Sequence, residues 1–224
     1  MTTDIKNIIF DFDGTLADTS PVILATMLAT INKLNLPPRA ADECKATIGL
    51  RLEDIPAALW PELPEIGALY ASTYRMIFDE KKTELKARAY PGVIEGLKAL
   101  HGAGYGMAVA SSRSHRSLEE YLEYFGIAEL FSDIVGGNDV KNGKPAPDPV
   151  LAVCGHTGWL PENCLVVGDA IYDIEMGNNA GCKTCGVTYG NQSREELITA
   201  HPTLIVDTFP QLESYLMAQE NRCC

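Results

Sequence analysis

The chain has 224 residues, 46% hydrophobic and 21% charged, a balance that buries a sizeable core and excludes a disordered or repetitive protein. A net charge of −12 argues against nucleic acid or an anionic membrane surface as partner, because both reward a basic face. No apolar run reaches the roughly 18 residues of a membrane span. Met1-Thr2-Thr3-Asp4-Ile5-Lys6 also lacks the basic-then-apolar pattern of a secretion signal, so a cytoplasmic protein is expected.

In chain order, Asn7 to Phe12 is a short apolar run of β-branched and aromatic residues ending in Asp and Gly, the pattern of a buried strand. From Pro21 to about Lys82 the periodicity is helical, and Pro37-Pro38, Gly49 and the Pro61/Pro64 pair divide it into about four helices. After Tyr90-Pro91-Gly92 the pattern changes. Val93–Ala103 reads as helix, Tyr105–Ala110 as strand, Ser114–Phe125 as amphipathic helix and Ile134–Val135 as strand. Asp148 and Pro149 read as an N-cap and a first-turn proline opening a helix toward Gly158. Leu165–Val167 is a buried strand, followed by a helix from Ile171 that stops at Gly181. Thr184–Val187, Arg194–Ala200, Leu204–Val206 and Thr208–Met217 continue the alternation.

Strands alternating with helices imply an α/β fold with a doubly wound parallel sheet. The all-helical stretch interrupts that alternation after the first strand. It reads as an inserted small domain, residues 19–86, within a core formed by residues 1–18 and 87–224. Two linkers would let it open and close.

Seven scattered cysteines read as free thiols in a reducing compartment. Cys182-Lys183-Thr184-Cys185 spells C-x-x-C, but with no second pair at metal-site spacing and no nearby histidine pair it reads as packing. Cys223-Cys224 reads as an exposed tail.

The chemistry gathers at strand ends. Asp11-Phe12-Asp13-Gly14-Thr15 follows the first strand, where open parallel sheets place their ligands. Residues two apart on an extended chain share a side, so Asp11 and Asp13 can share a pocket, and Gly14 lets the chain turn sharply. Alone, this is equally a solvated acidic turn. A calcium loop is excluded, because Thr15, Leu16 and Thr19 do not follow the EF-hand pattern. Gly168-Asp169 and Asp173 end another apolar strand. Four carboxylates in one cleft repel by about 4 kcal/mol per pair at 4 Å and an effective dielectric of 20, so such a cluster requires a cation. All-oxygen ligation with room for water suits Mg²⁺. Ser111 follows the strand Tyr105–Ala110, so its hydroxyl could hold a phosphate oxygen or simply cap a helix. Lys144 lies among prolines that hold its backbone extended; in isolation it reads as a solvated lysine.

Taken together, these motifs resemble the haloacid dehalogenase superfamily, specifically its phosphoglycolate-phosphatase-like branch, and the resemblance covers nearly the whole chain. Asp11-Phe12-Asp13-Gly14-Thr15-Leu16 matches the first motif, and Ser111 the second, with Ser112 as the neighbouring alternative. Lys144-Pro145 matches the third, and Gly168-Asp169 with Asp173 the fourth. The resemblance implies a Rossmann-like core and a helical cap. It also implies a reaction in which Asp11 attacks phosphorus and Asp13 serves as acid, then base. Mg²⁺ would be held by the Asp11 carboxylate, the Asp13 backbone carbonyl and Asp169, with Asp173 a ligand or a supporting group, while Ser111 and Lys144 hold phosphoryl oxygens. The expected substrate is a small phosphorylated metabolite, and a monomer or weak homodimer is expected. Arg51, in the Ile48-Gly49-Leu50-Arg51 loop of the cap, is the candidate contact for a substrate anion. Two departures stand out: Tyr172 where many relatives have Asn, and Ser112-Arg113 where many have Asn-Lys. A true dehalogenase needs no second Asp, so Asp13 argues against one. A β-phosphoglucomutase-like mutase, a pyrophosphatase or nucleotidase, and a non-catalytic binding module on the same fold remain as alternatives.

Overall fold

The computed structural model describes residues 5–82 and 87–220. Six strands form one parallel sheet: β1 (Asn7–Phe10), β4 (Gly106–Ala110), β5 (Asp133–Val135), β6 (Cys164–Gly168), β7 (Lys183–Val187) and β8 (Leu204–Val206). Their order is β5-β4-β1-β6-β7-β8, with β1 between β4 and β6. The chain builds outward from β1 in one direction through β4 and β5, then crosses back to build outward in the other. The strand order therefore reverses around β1, which opens a crevice at its C-terminal end.

Both faces of the sheet are covered, as the apolar character of its strands requires. Ile8 and Phe10 point into a core shared with α5 (Val93–Gly102), α6 (His115–Phe125) and α10 (Phe209–Glu220). Ile9 points the other way, into a core shared with α7 (Asp148–Thr157) and α8 (Ile171–Asn179). All three side chains are fully buried, each worth roughly 1.5–3 kcal/mol of transfer free energy. The short helix α9 (Arg194–Thr199) packs beside α8 through Leu197 and Ile174.

The two halves of Cys182-x-x-Cys185 fall on opposite faces: Cys185 joins the first core and Cys182 packs against the second. Both thiols are free, and burial pushes the Cys185 thiol up to about 12. That geometry suits packing and not a dithiol. Cys223 and Cys224 lie outside the described residues.

Helices α1 (Ser20–Lys33), α2 (Ala41–Lys45), α3 (Ile55–Leu59) and α4 (Gly67–Lys81) pack around their own core, which includes Met27, Ile31, Trp60 and Tyr70. We refer to this unit as the cap. Trp60 is fully buried and donates its indole N–H to the Pro37 carbonyl at 3.0 Å. Where the chain leaves and re-enters the sheet unit, β2 (Ala17–Asp18) pairs antiparallel with β3 (Arg88–Ala89). This two-residue ribbon is too short to leave a periodic signal in the sequence.

Several expected boundaries shift by a residue or more, two of them for a visible reason. The first strand ends at Phe10, because the Phe12 carbonyl accepts from the N–H groups of Thr15, Leu16 and Ala17 and the chain is already turning. Helix α7 is preceded by Pro147; Asp148 is its first residue and accepts from the backbone and side chain of Asn142 instead of capping. Gly14 has φ +85°, and a Cβ there would lie 2.1 Å from Asp169 Oδ2. The turn after β1 therefore closes only with glycine.

Candidate active site

Three strand ends meet at the crevice. The register Val109–Phe10–Val167 across β4, β1 and β6 brings Ser111, Asp11 and Asp169, the residues just beyond, to one edge. Asp11 N–H donates to the Val167 carbonyl at 2.9 Å and Ser111 N–H to the Val135 carbonyl at 3.0 Å. Each side chain is thus carried on a fixed end of the sheet. Asp173 is brought in by the first turn of α8, where one of its oxygens accepts from Ala170 N–H at 3.0 Å.

Oxygen atoms of Asp11, Asp169 and Asp173 all lie within 4.8 Å of one another, the one such cluster among the described residues. All three residues are buried, as is Lys144. Lys144 Nζ donates to Asp11 Oδ1 at 2.5 Å and to Asp173 Oδ1 at 2.6 Å. Burial works against the charge on Lys144, but Asp11 and Asp173 outweigh it and hold the ammonium protonated. One lysine offsets only one of three carboxylate charges. Burial, opposed by Lys144 and reinforced by Asp173, pushes the Asp11 carboxyl well above the usual carboxylate range. Burial together with Asp173 and Asp11 does the same to Asp169. Three hard oxygen donors with residual negative charge fit a divalent cation such as Mg²⁺ or Ca²⁺.

Asp169 is gripped from behind. Its Oδ1 accepts from Thr15 Oγ1 at 3.0 Å, and its Oδ2 accepts from both the backbone and the side-chain amide of Asn191, at 2.7 and 2.8 Å. Asn191 in turn accepts from Ser20 Oγ in the first turn of α1. Such partners orient a ligating carboxylate. Replacing Asn191 by Ala is expected to weaken divalent-cation affinity about 10–100-fold, read by calorimetric titration of the metal, while the fold is kept. Sequence reasoning missed Asn191: it lies 22 residues beyond Asp169 in a loop with no motif signal.

Above the cluster, the cap and the sheet unit flank a cavity of about 640 Å³ that is partly open to solvent. Asp11, Asp13, Ser111 and Arg113 line it from below, and Tyr74 and Phe78 of α4 from above. Asp13 does share Asp11's side of the chain, but its carboxylate stands apart from the three-carboxylate cluster. It accepts from Thr19 Oγ1 at 2.6 Å and from Arg113 at 2.6 and 3.2 Å. Ser112 donates to the Gly49 carbonyl of the cap at 2.6 Å, whereas Ser111 sits buried on the cavity floor.

Arg51 lines the cavity too, but its guanidinium reaches across to the loop after β5, donating to the carbonyls of Gly137 and Lys141 at 2.7 Å and of Val140 at 2.5 Å. Its Nε is buried. Arg51 thus ties the helical unit to the loop after β5, a destination that a loop arginine does not announce in sequence.

A family model described as haloacid dehalogenase-like hydrolase matches residues 8–187. The chain is 33% identical over 208 residues to "Probable phosphatase IndB" of Dickeya dadantii, covering 92% of this chain and 90% of that protein. It is 32% identical over 222 residues to a phosphoglycolate phosphatase of Psychrobacter arcticus, covering 96% of each. The crystal structure of a predicted phosphatase from Clostridium acetobutylicum superposes with a TM-score of 0.86 at 26% identity, over 96% of this chain and 100% of that one. With these motifs at these strand ends, the chain belongs to the haloacid dehalogenase-like hydrolases.

Proposed function

We propose that the protein is a Mg²⁺-dependent phosphatase that hydrolyses a small phosphomonoester, phosphoglycolate-like or a sugar phosphate, through an aspartyl-phosphate on Asp11. The phosphatase assignment rests on the family and on curated relatives named as phosphatases. The observation that carries the mechanism is the position of Asp11. It is held by Lys144, belongs to the carboxylate cluster and faces the cavity between cap and sheet unit.

Mg²⁺ held by the carboxylates of Asp11 and Asp169 and the Asp13 backbone carbonyl would offset charge on the phosphoryl oxygens, with Asp173 a ligand or a support. Lys144 fixes the Asp11 carboxylate and, with Ser111, cradles the phosphoryl group. An Asp11 oxygen forms a bond to phosphorus as the ester oxygen leaves, and Asp13 supplies the proton to that leaving oxygen. Water then attacks phosphorus, Asp13 takes its proton, and Asp11 and inorganic phosphate are released. Phosphoryl transfer depends mainly on positioning and charge stabilisation, and a covalent carboxylate intermediate divides it into two easier steps. The cap excludes water for the first step and admits it for the second.

The test is phosphate release from a panel of 2-phosphoglycolate, hexose and pentose phosphates, nucleotides and pyrophosphate, with Mg²⁺ and with chelator. Metal-dependent release from phosphomonoesters is expected. Isomerisation of a hexose phosphate without net release would indicate a mutase, preference for pyrophosphate a pyrophosphatase, and inertness toward the whole panel a binding protein.

A further inference from the structure

The cavity above Asp11 is rich in charge, yet its charges are already matched. Among the described residues, the cations that line it are Arg51, Arg75, Lys82, Arg113 and Arg116. Arg113 holds both oxygens of Asp13, at 2.6 and 3.2 Å, and donates through NH1 to Ser117 Oγ at 3.0 Å. Arg75 pairs with Glu53 at 2.6 Å and Arg116 with Glu120 at 3.0 Å. Lys82 pairs with Asp79 at 3.0 Å and Glu120 at 3.3 Å. Each of these carboxylates lines the cavity as well. Arg51 alone has no carboxylate partner among the described residues, but its terminal nitrogens donate to three backbone carbonyls. Its Nε is buried, out of reach of anything in the cavity, and Asp54 on the same wall balances its charge. Outside the carboxylate cluster, the wall therefore has no excess of positive charge with which to hold a second anionic group.

Much of the remaining wall is apolar. Ile23 and Met27 of α1, Ile55 of α3 and Phe78 of α4 line it, and all four are buried. Tyr74 of α4 lies beside them and is only 6% exposed. A buried phenol normally has a hydrogen-bond partner. The Tyr74 hydroxyl has none among the described residues and, unlike that of Tyr70, is not sealed from solvent. Arg113 and Asp13 act on it electrostatically, which places it over the reacting end of the cavity. We propose that the alcohol released from phosphate here is uncharged, larger than glycolate and partly apolar, and that the Tyr74 hydroxyl hydrogen-bonds to it. The inference rests on the phosphatase reading above and narrows it. A carboxylate beside the scissile ester would enter a site whose cations are engaged, and would lie there desolvated and unpaired. A two-carbon acid also fills little of a cavity of about 640 Å³.

Substrate pairs that differ only in charge isolate the effect. Sorbitol 6-phosphate carries a CH₂OH where 6-phosphogluconate carries a carboxylate, and glycerol 3-phosphate stands to 3-phosphoglycerate in the same relation. With Mg²⁺, kcat/KM is expected to favour the alcohol of each pair by at least about tenfold. Uridine 5′-monophosphate, whose leaving group adds a flat uncharged base, should exceed both alcohols. Tyr74→Phe keeps the ring packing and should lower kcat/KM for the alcohols and the nucleotide by about fivefold. Phenyl phosphate, whose leaving group has no further hydroxyl, should stay within about twofold of the parent. Glu53→Gln combined with Glu120→Gln releases Arg75 and Arg116 and should move each pair toward its acid by about threefold. Equal or better use of the acids by the parent, a nucleotide slower than glycerol 3-phosphate, or pair ratios unmoved in the double variant overturn the substrate class. A Tyr74→Phe enzyme unchanged on the alcohols, or weakened equally on phenyl phosphate, overturns the role of Tyr74. Preference for the acids sinks this inference alone; no Mg²⁺-dependent release from any of these esters, phenyl phosphate included, sinks the phosphatase reading with it.

Discussion

Replacing Asp11 by Asn is expected to reduce phosphate release by at least about 10⁴-fold, because an amide oxygen in the carboxylate's place is a poor nucleophile toward phosphorus. The substitution is nearly isosteric, and Lys144 keeps Asp173 as its partner at 2.6 Å, so the site should retain its shape. Its effect on stability should run the opposite way. Burial and the neighbouring carboxylates disfavour a charge at Asp11, and a neutral side chain relieves that repulsion. The metal-free Asn variant should therefore melt no lower than the parent, with a gain of about 1 kcal/mol appearing as about 2–4 °C in Tm for a chain of this size. Phosphate release and calorimetry measure these two consequences, and hydroxylamine should trap an acyl phosphate in the parent but not in the variant. A variant that turns over within tenfold of the parent removes Asp11 from the nucleophile's role.

Why some of this architecture was legible in the sequence, and some not, follows from the range of the interactions involved. The strands around Ile8–Phe10 and Leu165–Val167 announce themselves because a strand buried on both faces must be apolar throughout. A doubly wound sheet then directs their C-terminal ends, with Asp11 and Asp169, toward one crevice. Asp11 and Asp169 could therefore be placed near each other without coordinates. Arg113 could not. A loop arginine reads as a solvated charge, and only the folded chain shows it pairing with Asp13, 100 positions away, between rings from the turn after β1, from α4 and from α6. Arg51 is the same problem reversed: it is a credible anion contact in sequence, yet its donors go to backbone carbonyls across the cap–core boundary. Backbone acceptors carry no residue identity, so no motif could point to them. The β2–β3 ribbon escapes for a different reason, since two residues on each side of a long insertion show no period.

Withdrawing the divalent cation should leave the protein inactive and also change how its stability responds to pH. In the metal-free fold the Asp11 carboxyl is pushed up to about 7, by burial first and then by Asp173 and Asp13 against the opposing pull of Lys144. Burial, Asp173 and Asp11 push Asp169 up to about 8. The same groups in the unfolded chain ionise near 4. Between roughly pH 4 and pH 8 the folded chain therefore holds protons that the unfolded chain has already released. Stability falls with rising pH wherever the native state binds more protons, so the contribution of these two groups is fully present below pH 4 and is lost as pH rises through 7 to 8. A bound divalent cation reverses their preference, because it requires the ionised carboxylates and releases their protons on binding. The rise in Tm on adding Mg²⁺ should thus be small near pH 5 and largest near pH 8. The chelated protein should melt lower at pH 8 than at pH 5, and Asp11→Asn should flatten that slope. Calorimetry in two buffers of different ionisation enthalpy reads the proton release directly. A Mg²⁺ effect on Tm that is the same at both pH values would mean that the ion binds elsewhere, and the three carboxylates would then need another explanation for being buried around one lysine.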